Sequence, residues 1–129
     1  MQIKFVRSGG FAGAATSVAG TVELGEHGGR VDGEGTDYHR DLTPQEAERL
    51  RTDAAPSALA AAKAALSAPD SVRDGYQYDI TVIGEDGKSQ ALTLGDGGSD
   101  RLPQTATDLR SWIQDQAQKI WSYRISHRK

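Results

Sequence analysis

Two runs of alternating side chains, joined by a short turn, constrain the fold of this chain more than any other feature. In Tyr76–Ile83 every second residue is aromatic or aliphatic, and the return segment Lys88–Leu94 carries two leucines at the same spacing. The turn between them contains Asp86-Gly87, a dipeptide that favours tight β-hairpins. The sequence therefore predicts an antiparallel hairpin with one buried face.

Two further strands are predicted near the start of the chain. Alternation of apolar and polar residues indicates strands over Gln2–Arg7 and Thr16–Leu24, with a glycine-rich turn between them. The polar, glycine-rich stretch Gly25–Tyr38 is consistent either with a hairpin or with a loop.

The first helix has a clear start signal. Thr43 is a good N-cap, Pro44 suits the first helical position, and Glu46 completes a capping box. Two more helices are predicted, from Ser57 to about Ser67 and from roughly Gln104 to Tyr123. The inward face of the last is formed by residues at three- and four-residue steps: Leu109, Trp112, Ile113, Gln116 and Ile120.

This order of elements predicts an α+β fold. We expect one domain over residues 1–125, followed by a basic C-terminal tail at 126–129. The expected architecture is an antiparallel four-stranded sheet with helices packed on one face, in the order β-β-α-α-β-β-α.

Composition and charge exclude several function classes. The formal net charge of −3 argues against a nucleic-acid partner, whose binders usually carry a basic patch. The absence of cysteine excludes disulfides and zinc–thiolate sites. No apolar run approaches the ~20 residues of a membrane span, so we expect no membrane partner. Lys4 and Arg7 interrupt the region where a signal peptide needs its apolar segment, which predicts a cytoplasmic protein, with export by a route that needs no such signal as the alternative.

No motif in the chain predicts catalysis. The segment 84–89 ends like a phosphate-binding loop, but Val82 replaces the first required glycine and the segment joins two strands. The three histidines have no paired metal spacing, and the acidic loops lack the calcium-loop pattern. No Gly-x-Ser-x-Gly elbow is present. We therefore expect no catalytic residue, metal site or cofactor, and a protein that is not an enzyme.

One segment carries more specific information. Residues Ile3–Gly13, which contain Arg7-Ser8-Gly9-Gly10-Phe11-Ala12, resemble the opening of the emfourin family of protealysin inhibitors. Three further segments match that family in order: the helix start Leu42–Ala47, the aromatic-rich strand Asp74–Val82, and the closing helix around Leu109–Ile113. The longer Gly25–Tyr38 stretch and the extension Gln114–Lys129 depart from the family pattern.

The resemblance implies a protein inhibitor of thermolysin-like zinc metallopeptidases that binds at or beside the active-site cleft. The zinc would belong to the target, because this chain lacks a His-Glu-x-x-His motif. A non-inhibitory interaction module of the same fold is the alternative, and a small enzyme is a third class.

The turn after the first strand supplies the candidate contact residues. Target enzymes of this kind favour a bulky apolar side chain just after the cleaved bond, so Phe11 is the candidate anchor. The alternative is that Phe11 folds back onto the sheet, as large aromatic residues usually do. Flanking glycines would allow close backbone approach, and the polar residues would contact the rim. The predicted partner-binding residues are Arg7, Ser8, Gly9, Gly10, Phe11 and Ala12.

Overall fold

The computed structural model of the protein describes residues 1–9, 17–26, 28–65, 76–95 and 102–126. These ranges contain six strands and three helices. The strands are β1 (Gln2–Gly9), β2 (Val18–Gly25), β3 (Gly28–Gly33), β4 (His39–Asp41), β5 (Tyr76–Ile83) and β6 (Ser89–Gly95). The helices are α1 (Pro44–Asp53), α2 (Pro56–Ala65) and α3 (Gln104–Ser126).

All six strands form one antiparallel sheet in the order β4-β3-β2-β1-β5-β6. The α+β prediction is confirmed, whereas the predicted four strands and the predicted element order are wrong. Strand β3 lies within Gly25–Tyr38, where the sequence is consistent with a hairpin or a loop, and β4 directly follows that stretch, where no strand was predicted. Three of the six residues of β3 are glycines, and Val31 is its one large apolar residue. The alternation of apolar and polar residues is therefore too weak to predict this strand from its own sequence. Pairing with β2, where Val31 lies opposite Val22, supplies the stabilisation that local propensity lacks.

One face of the sheet forms the core. In β1, Ile3 and Phe5 are buried, whereas Lys4 and Val6 are exposed on the opposite face. The three helices pack against the buried face: α1 against β3, α2 against β6, and α3 against β1 and β2. In the described part of the chain all three helices lie on this one face, and the opposite face, here called the open face, carries the alternate side chains of the strands, as is common for antiparallel sheets.

The local signals for α1 and for the β5–β6 hairpin are confirmed. Thr43 Oγ1 accepts a hydrogen bond from the Glu46 N–H at 3.1 Å, and Glu46 Oε1 accepts one from the Thr43 N–H at 3.3 Å. In the hairpin turn Gly87 has φ +81°, a conformation that glycine adopts without steric cost. Helix α3 begins at the predicted residue and continues to Ser126, into the predicted tail, of which residues 127–129 lie outside the described ranges.

Candidate interaction site at the end of the central strand

The predicted partner-binding residues follow one another along the end of β1. Arg7, Ser8 and Gly9 are its last three residues, whereas Gly10, Phe11 and Ala12 lie outside the described ranges. We expected a turn at Ser8 and Gly9, but both pair with β5 and extend the strand. Half of the predicted set is therefore held within the sheet itself.

Arg7 lies on the buried face of the sheet, the same face as Ile3 and Phe5 of β1. Arg7 is only 4% exposed. It pairs with Val18 of β2 on one side and with Tyr78 of β5 on the other, and both of these residues are also buried. The hypothesis that Arg7 contacts the rim of a partner assumed an exposed side chain, because arginine is seldom fully buried. Of the two described side chains in the predicted set, only that of Ser8 is partly exposed.

The chain is held on both sides of the segment 10–16. Before it, Gly9 pairs with Tyr76 of β5. After it, the Ser17 carbonyl accepts a hydrogen bond from Arg124 Nη1 at 3.1 Å, which joins the last turn of α3 to the start of β2. The two ends of the predicted contact turn are therefore positioned by the sheet and by the longest helix.

A second group of polar side chains, the Arg40–Glu46 cluster, joins β4, α1 and α3. Arg40 donates from Nη1 to Glu46 Oε1 at 3.0 Å and from Nη2 to Glu46 Oε2 at 2.8 Å. Trp112 Nε1 donates to the same carboxylate at 2.7 Å, and Gln116 Oε1 accepts from Arg40 Nη2 at 2.9 Å. A bidentate guanidinium–carboxylate pair of this kind is both strong and geometrically specific.

The local sequence pattern indicates Glu46 only as a capping residue and indicates neither Arg40 nor Gln116 as its neighbour. Gln116 was predicted on the apolar face of α3, where it is indeed fully buried. Its hydrogen bond to Arg40 spans 76 positions of the chain, and no local pattern indicates a contact of that separation.

The cluster is structural rather than catalytic. The hydrogen bond from Arg40 and the one from Trp112 lower the pKa of Glu46 to about 2, against the opposing effect of burial. A carboxylate with this pKa is ionised at neutral pH, and it already accepts hydrogen bonds from Arg40, Trp112 and the Thr43 N–H, so it is poorly suited to proton transfer. Its chemistry fits a clamp that fixes α1 and α3 against the sheet edge.

A small pocket between α1 and α3 contains a poorly compensated carboxylate. The pocket has a volume of ≈ 80 Å³ and is lined by Glu46, Arg49, Leu50, Asp53 and Trp112. Asp53 is 6% exposed, and Arg49 Nε lies 3.9 Å from its Oδ2. Arg49 instead places Nη2 2.9 Å from the carboxylate of Asp108. Burial, followed by repulsion from Asp108, raises the pKa of Asp53. The pocket is well below the size of ordinary ligand sites.

Replacing Asp53 by Asn is expected to raise the free energy of unfolding at neutral pH by about 0.5–2 kcal/mol, because it removes a buried charge. This is the usual gain from a substitution that removes an unfavourable charge. The pKa of Asp53 is higher in the folded protein than in the unfolded chain, so the folded protein binds the proton more tightly. The free energy of unfolding therefore falls as pH rises from the unfolded-state pKa through the folded-state pKa, where this proton is lost. Urea unfolding at pH 7 measures the change. Asp115→Asn, at an exposed carboxylate paired with Lys119, is the control and should change stability little. A less stable Asp53→Asn protein would contradict this prediction.

The described part of the chain contains no group of three or more His, Cys, Asp or Glu side chains that could hold a metal ion. Among the helices within the described ranges, none is long and apolar enough to cross a membrane.

No family model, curated protein or solved structure matches the chain.

Proposed function

We propose that this protein inhibits a thermolysin-like zinc metallopeptidase by binding at or beside its active-site cleft. We include in the proposal that it acts in the cytoplasm, without catalytic residues or a cofactor of its own. The resemblance of Ile3–Gly13 to the emfourin family supports this function. The observation that carries it is the position of that segment, which starts on the central strand of a six-stranded sheet.

A central strand is a favourable base for a contact turn. Ordering a mobile segment on binding reduces affinity, so an inhibitor benefits when its contact residues start from a fixed point. Strand β1 is paired on both sides, with β2 and with β5, and its side chains Ile3 and Phe5 are buried in the core. The hydrogen bond from Arg124 to Ser17 adds a fixed point after the turn.

The proposal assigns different roles to the predicted contact residues. Phe11 is the apolar anchor for the cleft, and Gly9 and Gly10 let the backbone approach it. Ser8 is partly exposed beside them and supplies a hydroxyl for the rim. Arg7 is buried and supports the strand end from beneath.

Titration of a thermolysin-like zinc peptidase, preferably one from the same organism, with purified protein tests the function. Saturable and stoichiometric loss of peptidase activity, without cleavage of this chain, is the expected result. If the organism's own peptidases keep full activity at saturating protein, the inhibitor proposal is wrong. The alternative, a non-inhibitory interaction module of the same fold, would then be favoured.

Replacing Phe11 by Ala is expected to weaken inhibition by about 1 kcal/mol or more, because truncating an anchor residue removes its buried contact with the pocket. The inhibition constant measures this change. Lys88→Ala, an exposed substitution beside the β5–β6 turn at the other end of the sheet, is the control and should inhibit like the original protein. Equal inhibition by a folded Phe11→Ala protein would exclude Phe11 as the anchor.

A further inference from the structure

The two edges of the sheet differ sharply in length and charge. Strand β4 has three residues, His39, Arg40 and Asp41, all with ionisable side chains. Strand β6 has seven residues, Ser-Gln-Ala-Leu-Thr-Leu-Gly, with no charge and no proline. Natural proteins usually protect sheet edges from pairing with another chain by keeping them short or by placing charges or proline there. The β4 edge has this protection and the β6 edge lacks it.

The hairpin turn determines which backbone groups of β6 face outward. The Gly84 N–H donates to the Lys88 carbonyl at 2.9 Å, so these two residues form a hydrogen-bonded pair. Hydrogen-bonded and non-bonded pairs alternate along an antiparallel ladder. The N–H and C=O groups of Ser89, Ala91 and Thr93 therefore point away from β5. Within the described ranges no strand pairs with this side of β6.

We propose that β6 pairs with β6 of a second copy of this chain, antiparallel and about a two-fold axis at Ala91. In this register Ala91 faces its own counterpart, and Ser89 faces Thr93 of the other copy. Each of these residue pairs exchanges two backbone hydrogen bonds, because all three residues present outward-facing groups. The two sheets become one continuous sheet.

The side chains of β6 suit this register. Ala91 and Thr93 are exposed on the open face of the sheet, where an Ala–Ala pair leaves no clash. Hydroxyl residues such as Ser89 and Thr93 form favourable cross-strand pairs. No like charges meet, since β6 carries none.

A second copy fits this edge better than an unrelated strand does. A peptide that adds a strand to a sheet usually gains specificity from pockets that accept its alternate side chains. On β6 the alternate residues Leu92 and Leu94 are buried in the core of their own chain, so they are not available to bind the side chains of an unrelated strand. The residues of β6 complement themselves in the two-fold register, and two-fold dimers are the commonest protein oligomers. This inference does not depend on the proposed inhibitor function.

The mass of the protein in solution tests the proposal. Sedimentation or light scattering over a concentration series should approach twice the 13.8 kDa of one chain. In Ala91→Glu or Ala91→Lys alone, two like charges face each other across the axis, and the dissociation constant should rise about tenfold or more. An equimolar mixture of the two variants should associate again, because opposite charges then meet.

Two controls separate this interface from others. Lys4→Glu changes a charge on the same face of the sheet, two strands inward from Ala91, and should dimerise like the original protein. In the original protein, the amide protons of Ser89, Ala91 and Thr93 should exchange more slowly with solvent as concentration rises. A monomer at every concentration, a dimer that both charged variants retain, or concentration-independent exchange would each overturn the proposal.

Discussion

Replacing Phe5 by Ala is expected to lower the free energy of unfolding by about 3–5 kcal/mol. Phe5 is 1% exposed in the middle of the central strand, between Gly20 of β2 and Ile80 of β5. Its ring occupies the space that a side chain at position 20 would need: a Cβ added to Gly20 would lie 2.5 Å from the Phe5 Cζ. Truncation therefore opens a cavity that the facing glycine cannot fill.

Denaturant unfolding with paired variants measures this effect. Gly20→Ala should destabilise the protein, because the new Cβ would lie within 2.9 Å of two carbons of the buried Phe5 ring and 3.1 Å from the Asp32 carbonyl oxygen. The same substitution should cost less when Phe5 is replaced by Leu, since the smaller side chain leaves part of the space empty. A loss of under about 1 kcal/mol in Phe5→Ala would show that the site collapses around the missing ring.

Replacing Glu46 by Ala is expected to lower the free energy of unfolding by about 2–4 kcal/mol, close to the cost of breaking a buried ion pair. The side chains of Arg40 and Glu46 are 29% and 19% exposed, so water screens the attraction between the two charges only in part. Removal of the carboxylate leaves the Arg40 guanidinium without its bidentate partner and the Trp112 N–H without its acceptor. It also removes half of the capping box of α1.

Equilibrium unfolding of Glu46→Ala measures that loss. Glu48→Ala, at an exposed position on the same helix, is the control and should change stability by about 0.5 kcal/mol or less. Equal stability of the two variants would show that the Arg40–Glu46 cluster contributes little to the fold.

The same carboxylate predicts a defined acid transition. The pKa of Glu46 is lowered from 4.5 to about 2 in the folded protein, so the folded state binds its proton more weakly than the unfolded state does. Its contribution to stability is therefore complete above pH 4.5 and is lost as pH falls to about 2. The loss amounts to about 3 kcal/mol, at 1.36 kcal/mol per pKa unit. Unfolding measured between pH 6 and about 2 should show this component in the original protein, and Glu46→Gln should lack it.

The proposed inhibitor function and the proposed dimer can be tested separately. Strands β1 and β6 run in the same direction, so an antiparallel pair of β6 strands places the two copies of Gly9 at opposite ends of the joined sheet. One dimer would then hold the β1 ends of its two predicted contact segments far apart. Ala91→Glu should weaken the dimer and leave inhibition of the peptidase intact, because Ala91 lies on the edge strand and outside the predicted contact set.

Short-range patterns determined much of the fold from the sequence alone. Alternation gave the limits of β5, the capping residues gave the start of α1, and three- and four-residue steps gave the buried face of α3. Each of these signals depends on residues within a few positions of one another. The α+β class and the buried face of β1 followed from the same patterns.

The other features depend on contacts between distant segments of the chain. Strands β3 and β4 have weak local signals and are held by pairing with β2 and with each other. Ser8 and Gly9 belong to β1 rather than to a turn because β5 offers backbone partners beside them. Arg7 is buried, and Glu46 meets Trp112 across 66 positions of the chain. Each of these features has the same physical cause. The group that stabilises the strand end, the guanidinium or the carboxylate lies on a distant segment of the chain, and only folding brings the two together.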